Sequence, residues 1–288
     1  MAASMEPVVQ LVKKYHNEFE STIESLRQRS FSLGVDTQRR ACEAQTHLRH
    51  MQASLQPRLR SQQQQLAATL KDYSPVPANY SVLLETYMWT SVLLVAQSFG
   101  ELVGAYALGP LLGLVFDTAP ATVLTYVLLP VLAYMHYRKK PGTQTERRFE
   151  LLGLALTLGV LSGFLLSDRY LGVLPPPAFL MPLVIGISAQ VVGPKVGEDR
   201  LLFLCSTVGA GATVHVLLGI VLRQLGGTYL LFVLVSVVLA AIHMQLLLKH
   251  MTVNNRPDMI AFQLLALVTS LLVHGVLTLF LGFSHGAE

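Results

Sequence analysis

Apolar residues dominate the chain from about Ser81 onward, in runs that short polar stretches separate. Several runs are continuous in Leu, Val, Ala and Gly rather than alternating with period two, which favours membrane helices over barrel strands. Seven runs approach the roughly 20 residues that a helix needs to cross the hydrocarbon core of a bilayer. They cover residues 82–106, 119–137, 150–167, 177–193, 201–222, 228–248 and 259–282. The pattern predicts an all-α polytopic membrane bundle of about seven transmembrane helices.

The polar amino-terminal part follows a different, amphipathic pattern. Apolar residues from Val8 to Leu26 recur every three or four positions, which predicts a helix with one apolar face. A second amphipathic helix is predicted from Asp36 as N-cap, with a kink near Pro57. The predicted organisation is a helical hairpin outside the membrane over residues 1–73, a proline linker over 74–80 and a membrane domain over 81–288.

An amphipathic hairpin needs a surface on which to lie, because two helices enclose only a thin core of their own. One interpretation makes the hairpin a mobile appendage on the membrane surface. The other makes it a docking arm for partner proteins. We favour the second and predict that residues 1–73 bind other subunits of a membrane complex.

Composition agrees with insertion into a membrane. The 288 residues are 52% hydrophobic and only 13% charged, whereas soluble domains carry about 25% charged residues. The two cysteines, Cys42 and Cys205, fall in quite different settings. They form neither a disulfide framework nor a metal-binding spacing.

The basic residues gather on one side of the predicted spans. Of the 21 Lys and Arg residues, ten precede the first span and nine lie in loops after the second, fourth and sixth spans. Only Arg169 and Arg223 fall on the other side. This bias places the amino terminus in the cytosol for a protein of the endoplasmic reticulum, or in the matrix for one of the mitochondrial inner membrane. Charges spread over helix ends argue against nucleic acid as a ligand, and we predict none.

The sequence contains no His-Glu-x-x-His, no phosphate loop and no Cys-x-x-Cys, which are motifs typical of metalloproteases, nucleotide-binding proteins and metal or redox sites. We therefore predict a non-enzymatic protein without cofactor. The pairs Gly109/Gly113 and Gly159/Gly163 are typical of small residues that let transmembrane helices approach closely.

Ionisable side chains inside the predicted spans are the strongest candidates for function, because charge at membrane depth is costly and faces the bundle interior or water. They are Glu85, Glu101, His215, His243 and His274. The three histidines lie on three helices and allow three interpretations: hydrogen bonds to neighbouring helices, a proton or ion path, or a shared metal site. We favour hydrogen bonding, which is the commonest role.

Several stretches resemble the Bax inhibitor motif family of membrane proteins. Residues 143–163 resemble the family's acidic and basic cluster that leads into a Gly-rich helix, and residues 200–211 are similar to its basic loop followed by an aromatic-Leu-Gly run. His243-Met244-Gln245 falls where the family carries Asp-Thr-Gln, and Asp258 resembles the acidic residue after its sixth span. The similarity covers roughly residues 80–282, which makes the hairpin an addition to that fold.

The resemblance implies a seven-helix fold in which two membrane aspartates form a pH-sensitive pair that gates a calcium leak. Here His243 occupies the first position, and the second falls where Thr269 and Ser270 offer hydroxyls. Two close carboxylates can share a proton and bind calcium, whereas an imidazole facing hydroxyls does neither. We therefore expect His243, Gln245, Thr269 and Ser270 to be the remnant of a disabled ion gate.

These expectations lead to one functional hypothesis and two rivals. The hypothesis is a structural or accessory subunit of a larger assembly, such as a respiratory or ATP synthase complex, in the mitochondrial inner membrane or the endoplasmic reticulum. Its partners would be membrane lipids and neighbouring subunits. The first rival is a pH-sensitive calcium or proton leak that uses Glu101 or the three histidines. The second is a regulator of cell death in the endoplasmic reticulum.

Overall fold

The structure, a computed structural model, describes residues 57, 60–61, 63–72, 74–76, 79–139, 143–196, 199–253 and 259–284. The chain divides into two units, Met1–Ala67 and Ala68–Glu288. Most of the predicted hairpin lies outside the described residues. The described part of the first unit, which includes residues 63–67, is helical.

The described part of the second unit contains seven apolar helices, in the order of the predicted apolar runs. They are α1 Tyr80–Val115, α2 Thr118–Tyr137, α3 Gln144–Leu166, α4 Leu180–Val196, α5 Arg200–Val221, α6 Gly227–Val253 and α7 Met259–Leu281. Within the described residues, six of these are long and apolar enough to cross a membrane, and α4 is a shorter apolar helix. Two-residue strands, β1 Arg169–Tyr170 and β2 Phe283–Ser284, pair antiparallel. The all-α prediction is confirmed for the described chain.

Helix α1 continues beyond the predicted run and changes its winding near the end. It contains a π-helical segment, Val103–Leu108, followed by the α-helical segment Gly109–Val115. Pro110 lies in the first turn of the last segment. A proline in a continuous helix removes one N–H donor and clashes with the preceding turn, so the chain must break its regular hydrogen bonding at this point. The π-helical turn is that break.

Helix α3 begins earlier than its apolar run because its first turn is polar. The hydroxyl of Thr143 accepts a hydrogen bond from the backbone N–H of Glu146, and the Glu146 carboxylate accepts one from the backbone N–H of Thr143. This capping box fixes the start of the helix at Gln144. Hydropathy alone predicted a start at residue 150, since it does not register a charged first turn.

Helix α1 lies between two hydrophobic cores and contributes to both. The first core includes Leu83 of α1 together with Met181, Ile185, Phe203, Met244 and Leu248 from α4, α5 and α6. The second includes Leu93 of α1 together with Leu151, Leu158, Leu264, Leu267 and Leu271 from α3 and α7. Helix α1 is therefore the central element of the bundle.

Glycine brings α1 and α3 into backbone contact. A Cβ atom on Gly104 of α1 would overlap the carbonyl oxygen of Val160 on α3, and one on Gly159 of α3 would overlap the carbonyl oxygen of Gln97 on α1. The predicted packing role of Gly159 is thereby confirmed. Gly113, in contrast, makes only an ordinary contact, with a Cβ placed there 3.7 Å from the ring of Phe164.

We expect Gly159→Ala to destabilise the bundle by about 1–3 kcal/mol, because the added methyl group meets a backbone atom that cannot rotate away. Thermal unfolding in detergent measures the effect as a lower Tm. Gly153 on the same helix is the matched control, since a Cβ there would have no neighbour within 4 Å. Gly153→Ala should leave the Tm unchanged, and an equal loss in both variants would disprove the proposed contact.

Candidate functional site

A carboxylate in the bundle joins three helices. Oε2 of Glu101 on α1 lies 3.4 Å from Nδ1 of His274 on α7. Oε1 of the same carboxylate accepts hydrogen bonds from Nε2 of Gln97, at 3.0 Å, and from Oγ of Ser162 on α3, at 3.2 Å. Gln97 and Ser162 are buried, and the side chains of Glu101 and His274 are partly buried. We define these four residues as the Glu101 cluster.

The close packing of α1 against α3 creates the Glu101 cluster. A Cβ on Gly163 would overlap the backbone carbonyl oxygen of Glu101, so only glycine allows this approach. The neighbouring residue, Ser162, is thereby held within hydrogen-bond distance of the carboxylate. The site therefore depends on the same glycine contacts as the fold.

Tyr126 borders the cluster from the π-helical segment Leu124–Leu128 of α2. Its hydroxyl packs against Gly275, the residue after His274, where a Cβ would overlap it. This hydroxyl is buried and has no hydrogen-bond partner among the described residues. π-Helical turns are common at functional sites, and the two such segments found among the described residues flank the same region.

Chemically, the Glu101 cluster can hold and exchange a proton. The contact between Glu101 and His274 is an ion pair when the imidazole is protonated and a hydrogen bond when it is neutral. A divalent cation would require several oxygen ligands, preferably anionic. Within the described residues, no group of three His, Cys, Asp or Glu side chains could hold a metal ion.

The proposed gate residues separate into two places. Oγ1 of Thr269 on α7 lies 3.3 Å from Nε2 of His243 on α6, so the structure brings these two together. Ser270 follows on α7 and is partly buried. Gln245 faces elsewhere and binds Arg200, because residues two apart on a helix point in nearly opposite directions.

Arg200, at the start of α5, forms a second polar cluster that sequence reasoning missed. Its side chain is fully buried, with Nε donating to Oε1 of Gln245 at 2.8 Å and Nη2 donating to the Gln245 backbone carbonyl at 3.3 Å. Nη1 lies 3.2 Å from Oδ2 of Asp72 and 3.1 Å from Oγ of Ser74. Nearby, Nζ of Lys249 donates to Thr69 at 2.8 Å.

This Arg200 cluster fixes the segment that precedes α1 to helices α5 and α6. The pKa of the Asp72 carboxyl lies below its ordinary value, because the backbone N–H and the hydroxyl of Ser74 hydrogen-bond to it and Arg200 adds a favourable charge. Asp72 therefore stays ionised at neutral pH and complements the buried guanidinium. The only signal in the sequence was the position of Arg200 directly at the start of an apolar run.

His215 has a local structural role. Its Nδ1 lies 2.9 Å from the carbonyl oxygen of Gly211, and its Nε2 lies 3.4 Å from that of Pro177. The hydroxyl of Tyr229 donates to the His215 carbonyl at 2.8 Å. The three candidate histidines thus contact three separate sets of partners. These contacts favour the interpretation of His215 as a packing residue.

Glu85 lies at the polar end of α1 and pairs with Arg148, with an Oε1 to Nη1 distance of 2.7 Å. The guanidinium carbon of Arg148 also lies 5.1 Å from the ring centroid of Trp89. Asp258 lies outside the described residues. Glu85 is therefore part of a polar boundary of the bundle rather than of its interior.

Comparison with protein-family models gives a match over nearly the whole chain. A family model described as "Interactor of ZYG-11" matches residues 1–282. No curated protein and no solved structure shows a significant match. The predicted resemblance to the Bax inhibitor motif family is therefore wrong, and so is the interpretation of the hairpin as an addition, since the match includes the amino-terminal residues. Apolar, Gly-rich helices recur in unrelated membrane proteins for packing reasons, and such stretches identify no family.

The correction also removes the basis for calling His243, Gln245, Thr269 and Ser270 the remnant of that family's ion gate. The structure shows the contact between His243 and Thr269, but we no longer attach a gating function to it.

We expect Asp72 to stabilise the folded protein at neutral pH and to lose this stabilising effect in acid. A carboxyl whose pKa is lowered by folding stabilises the protein above its unfolded pKa of about 4, and this stabilisation disappears as the pH falls through the folded value. The Tm difference between the natural chain and Asp72→Asn should be constant from neutral pH down to about 5 and should shrink below about 4. A difference that persists at lower pH would contradict this assignment.

Proposed function

We propose a function from one premise: the chain belongs to the family of interactors of ZYG-11, whose model matches residues 1–282. The family description names a protein partner. We propose that this chain is a non-enzymatic integral membrane protein that binds ZYG-11 and acts as a scaffold or accessory subunit. The observation that carries the proposal is that the match covers both the amino-terminal region and the helix bundle.

Membrane placement is supported by the length of the helices and by their surface. The proposed seven transmembrane helices are the six long apolar helices and α4, whose 17 residues reach the lower limit for a span. Large apolar side chains such as Phe99, Leu114 and Phe280 are 61%, 83% and 83% exposed. Exposure of this extent is expected for residues that face lipid, and is unfavourable in water.

The orientation proposed from the basic residues places the amino terminus in the cytosol or the matrix, in the endoplasmic reticulum or the mitochondrial inner membrane respectively. Arg148 and Arg200 lie at the starts of α3 and α5, and Lys249 lies near the end of α6, so all three fall on the proposed amino-terminal side of the membrane. The roles as a respiratory or ATP synthase subunit and as a regulator of cell death stay predictions.

Docking through residues 1–73 is supported by the Arg200 cluster. Thr69, Asp72 and Ser74 are anchored to α5 and α6 by Arg200 and Lys249. Within the second unit, the segment before α1 is therefore held in place rather than left as a loose tether. A fixed attachment lowers the entropy that is lost when a partner binds.

Deletion of residues 1–66 tests the docking arm and leaves the anchored segment intact. We expect the full chain to copurify with ZYG-11 from co-expressing membranes in mild detergent, and the shortened chain to lose this binding. The Tm of the shortened chain in detergent serves as the control for folding.

Two results would count against the proposal in different ways. Unchanged binding by the shortened chain would move the interface to the helix bundle. A full chain that fails to bind ZYG-11 would overturn the proposed partner.

A second candidate function is a proton leak, and the Glu101 cluster favours it. A carboxylate and an imidazole in contact between α1 and α7 can relay a proton, and one carboxylate suits a proton better than calcium. If the bundle conducts, purified protein in liposomes should dissipate a pH gradient, and Glu101→Gln should abolish this flux. The scaffold proposal predicts no flux from either protein, so conduction that Glu101→Gln removes would refute it.

A further inference from the structure

Three buried polar atoms around the Glu101 cluster have no hydrogen-bond partner among the described residues. They are Oε1 of Gln97, the hydroxyl of Tyr126 and the hydroxyl of Thr278. The side chains of Gln97 and Thr278 are buried, with exposed fractions of 3% and 5%. A buried polar atom without a hydrogen bond is unfavourable, and native proteins leave few of them. Three such atoms in one region therefore indicate a hydrogen-bonding ligand.

Tyr126 and Thr278 approach the cluster along the buried face of α7. The hydroxyl of Tyr126 packs against Gly275, and Thr278 lies three residues further along the same buried face. Thr278 also lies one turn beyond His274, whose imidazole contacts Glu101. The Glu101 carboxylate is within electrostatic reach of the Tyr126 hydroxyl. The two hydroxyls, the imidazole and the carboxylate thus border one region of the bundle.

The Glu101 carboxylate has acceptor capacity that its protein partners do not use. An ionised carboxylate offers about four lone-pair sites. Nε2 of Gln97 donates to Oε1, but the single hydroxyl proton of Ser162 is shared between Oε1 and the carbonyl oxygen of Gly159, each at 3.2 Å. Oε2 has only the long contact of 3.4 Å with His274. The carboxylate can therefore accept a further hydrogen bond.

The cluster has room for a small polar molecule. The side chains of Glu101 and His274 are 17% and 30% exposed, although both residues lie inside their helices. A water molecule both donates and accepts hydrogen bonds, so it suits unpaired hydroxyls and unpaired acceptors at once. A metal ion binds oxygen lone pairs and would leave the hydroxyl protons of Tyr126 and Thr278 without acceptors. The mixed set of unpaired groups favours water.

We propose that internal water is bound among Glu101, Tyr126 and Thr278, beside His274. It accepts hydrogen bonds from the two hydroxyls and donates to the carboxylate and to Oε1 of Gln97. Buried water typically makes about three hydrogen bonds to polar groups that otherwise have none. Tyr126 and Thr278 hold this water, which hydrates the contact between the carboxylate and the imidazole. The site requires neither binding of ZYG-11 nor proton conduction.

Removal of the Tyr126 hydroxyl tests the bound water against a matched control. The hydroxyl of Tyr87 is also buried without a partner among the described residues, but Tyr87 belongs to the first hydrophobic core. Tyr87→Phe removes an unpaired hydroxyl and should leave the Tm in detergent unchanged or raise it. Tyr126→Phe should lower the Tm by about 2–4 °C, because the water loses a hydrogen-bond donor.

A double-mutant cycle tests whether the two hydroxyls share one ligand. Thr278→Val should also lower the Tm, and Tyr126→Phe with Thr278→Val should lower it by less than the sum of the two single losses. The two hydroxyls form no hydrogen bond with each other, so a ligand common to both explains this coupling. The effects of Tyr87→Phe and Thr278→Val should add. Additive losses for Tyr126 and Thr278, or a Tyr126→Phe variant that behaves like Tyr87→Phe, would refute the shared water.

Solid-state NMR of the full chain in bilayers detects the water directly. Magnetisation transfer from water protons to the imidazole of His274 should be strong. It should be weak for His215, which is 1% exposed and contacts backbone carbonyl groups. Tyr126→Phe should reduce the transfer to His274 and leave that to His136, which is 46% exposed, unchanged. The His274 signals are assigned by their loss in His274→Gln.

Three further outcomes overturn the site, each with a distinct meaning. Transfer to His274 as weak as that to His215 means that the cluster is dry. Strong transfer that Tyr126→Phe does not change means open contact with solvent instead of bound water. A Tm that sodium chloride raises above the value in choline chloride, in the natural chain but not in Glu101→Gln, means that a monovalent cation occupies the site.

Discussion

The contact between the backbones of α1 and α3 is the constraint on which the rest of the bundle depends. It exists because Gly104, Gly159 and Gly163 have no side chain at the crossing. In the membrane that we propose for this chain, the hydrophobic effect would not drive helices together, so close packing and interhelical hydrogen bonds would have to hold them. The glycines provide the packing, and the approach they permit places Ser162 against Glu101. The packing of the bundle and the Glu101 cluster therefore both depend on the glycine contacts between α1 and α3. A substitution at this crossing should disturb both.

Each polar side chain inside the bundle is tolerated because of its partners. The Arg200 guanidinium is fully enclosed, yet it contacts a carboxylate, an amide, a hydroxyl and a backbone carbonyl through Asp72, Gln245 and Ser74. A buried charge without such partners would be strongly destabilising. Glu101 meets the same requirement with fewer charges and more exposure. The first cluster is thus suited to anchoring, whereas the second retains the freedom to exchange a proton.

The sequence predicts the helices well and their contacts poorly, for physical reasons. Apolar runs locate all seven helices, because hydropathy is a local property of the chain. The ends of α1 and α3 are missed, since Pro110 alters the winding without ending the helix and Thr143 caps a charged turn. Glu101 and His274 are candidates from their depth alone, but their pairing requires two helices far apart in the sequence. Arg200 was counted as a loop charge, because nothing local shows that a segment 126 residues earlier reaches it.

The anchored segment before α1 has a mechanical consequence. Thr69 and Asp72 precede α1 in the chain, yet they are attached to Lys249 and Arg200 on later helices. A pulling force applied through the amino-terminal polypeptide is therefore borne by α5 and α6 before it reaches α1. The central helix and its glycine crossing are shielded from that load. The Arg200 cluster therefore diverts tension in the amino-terminal polypeptide away from α1 and onto α5 and α6.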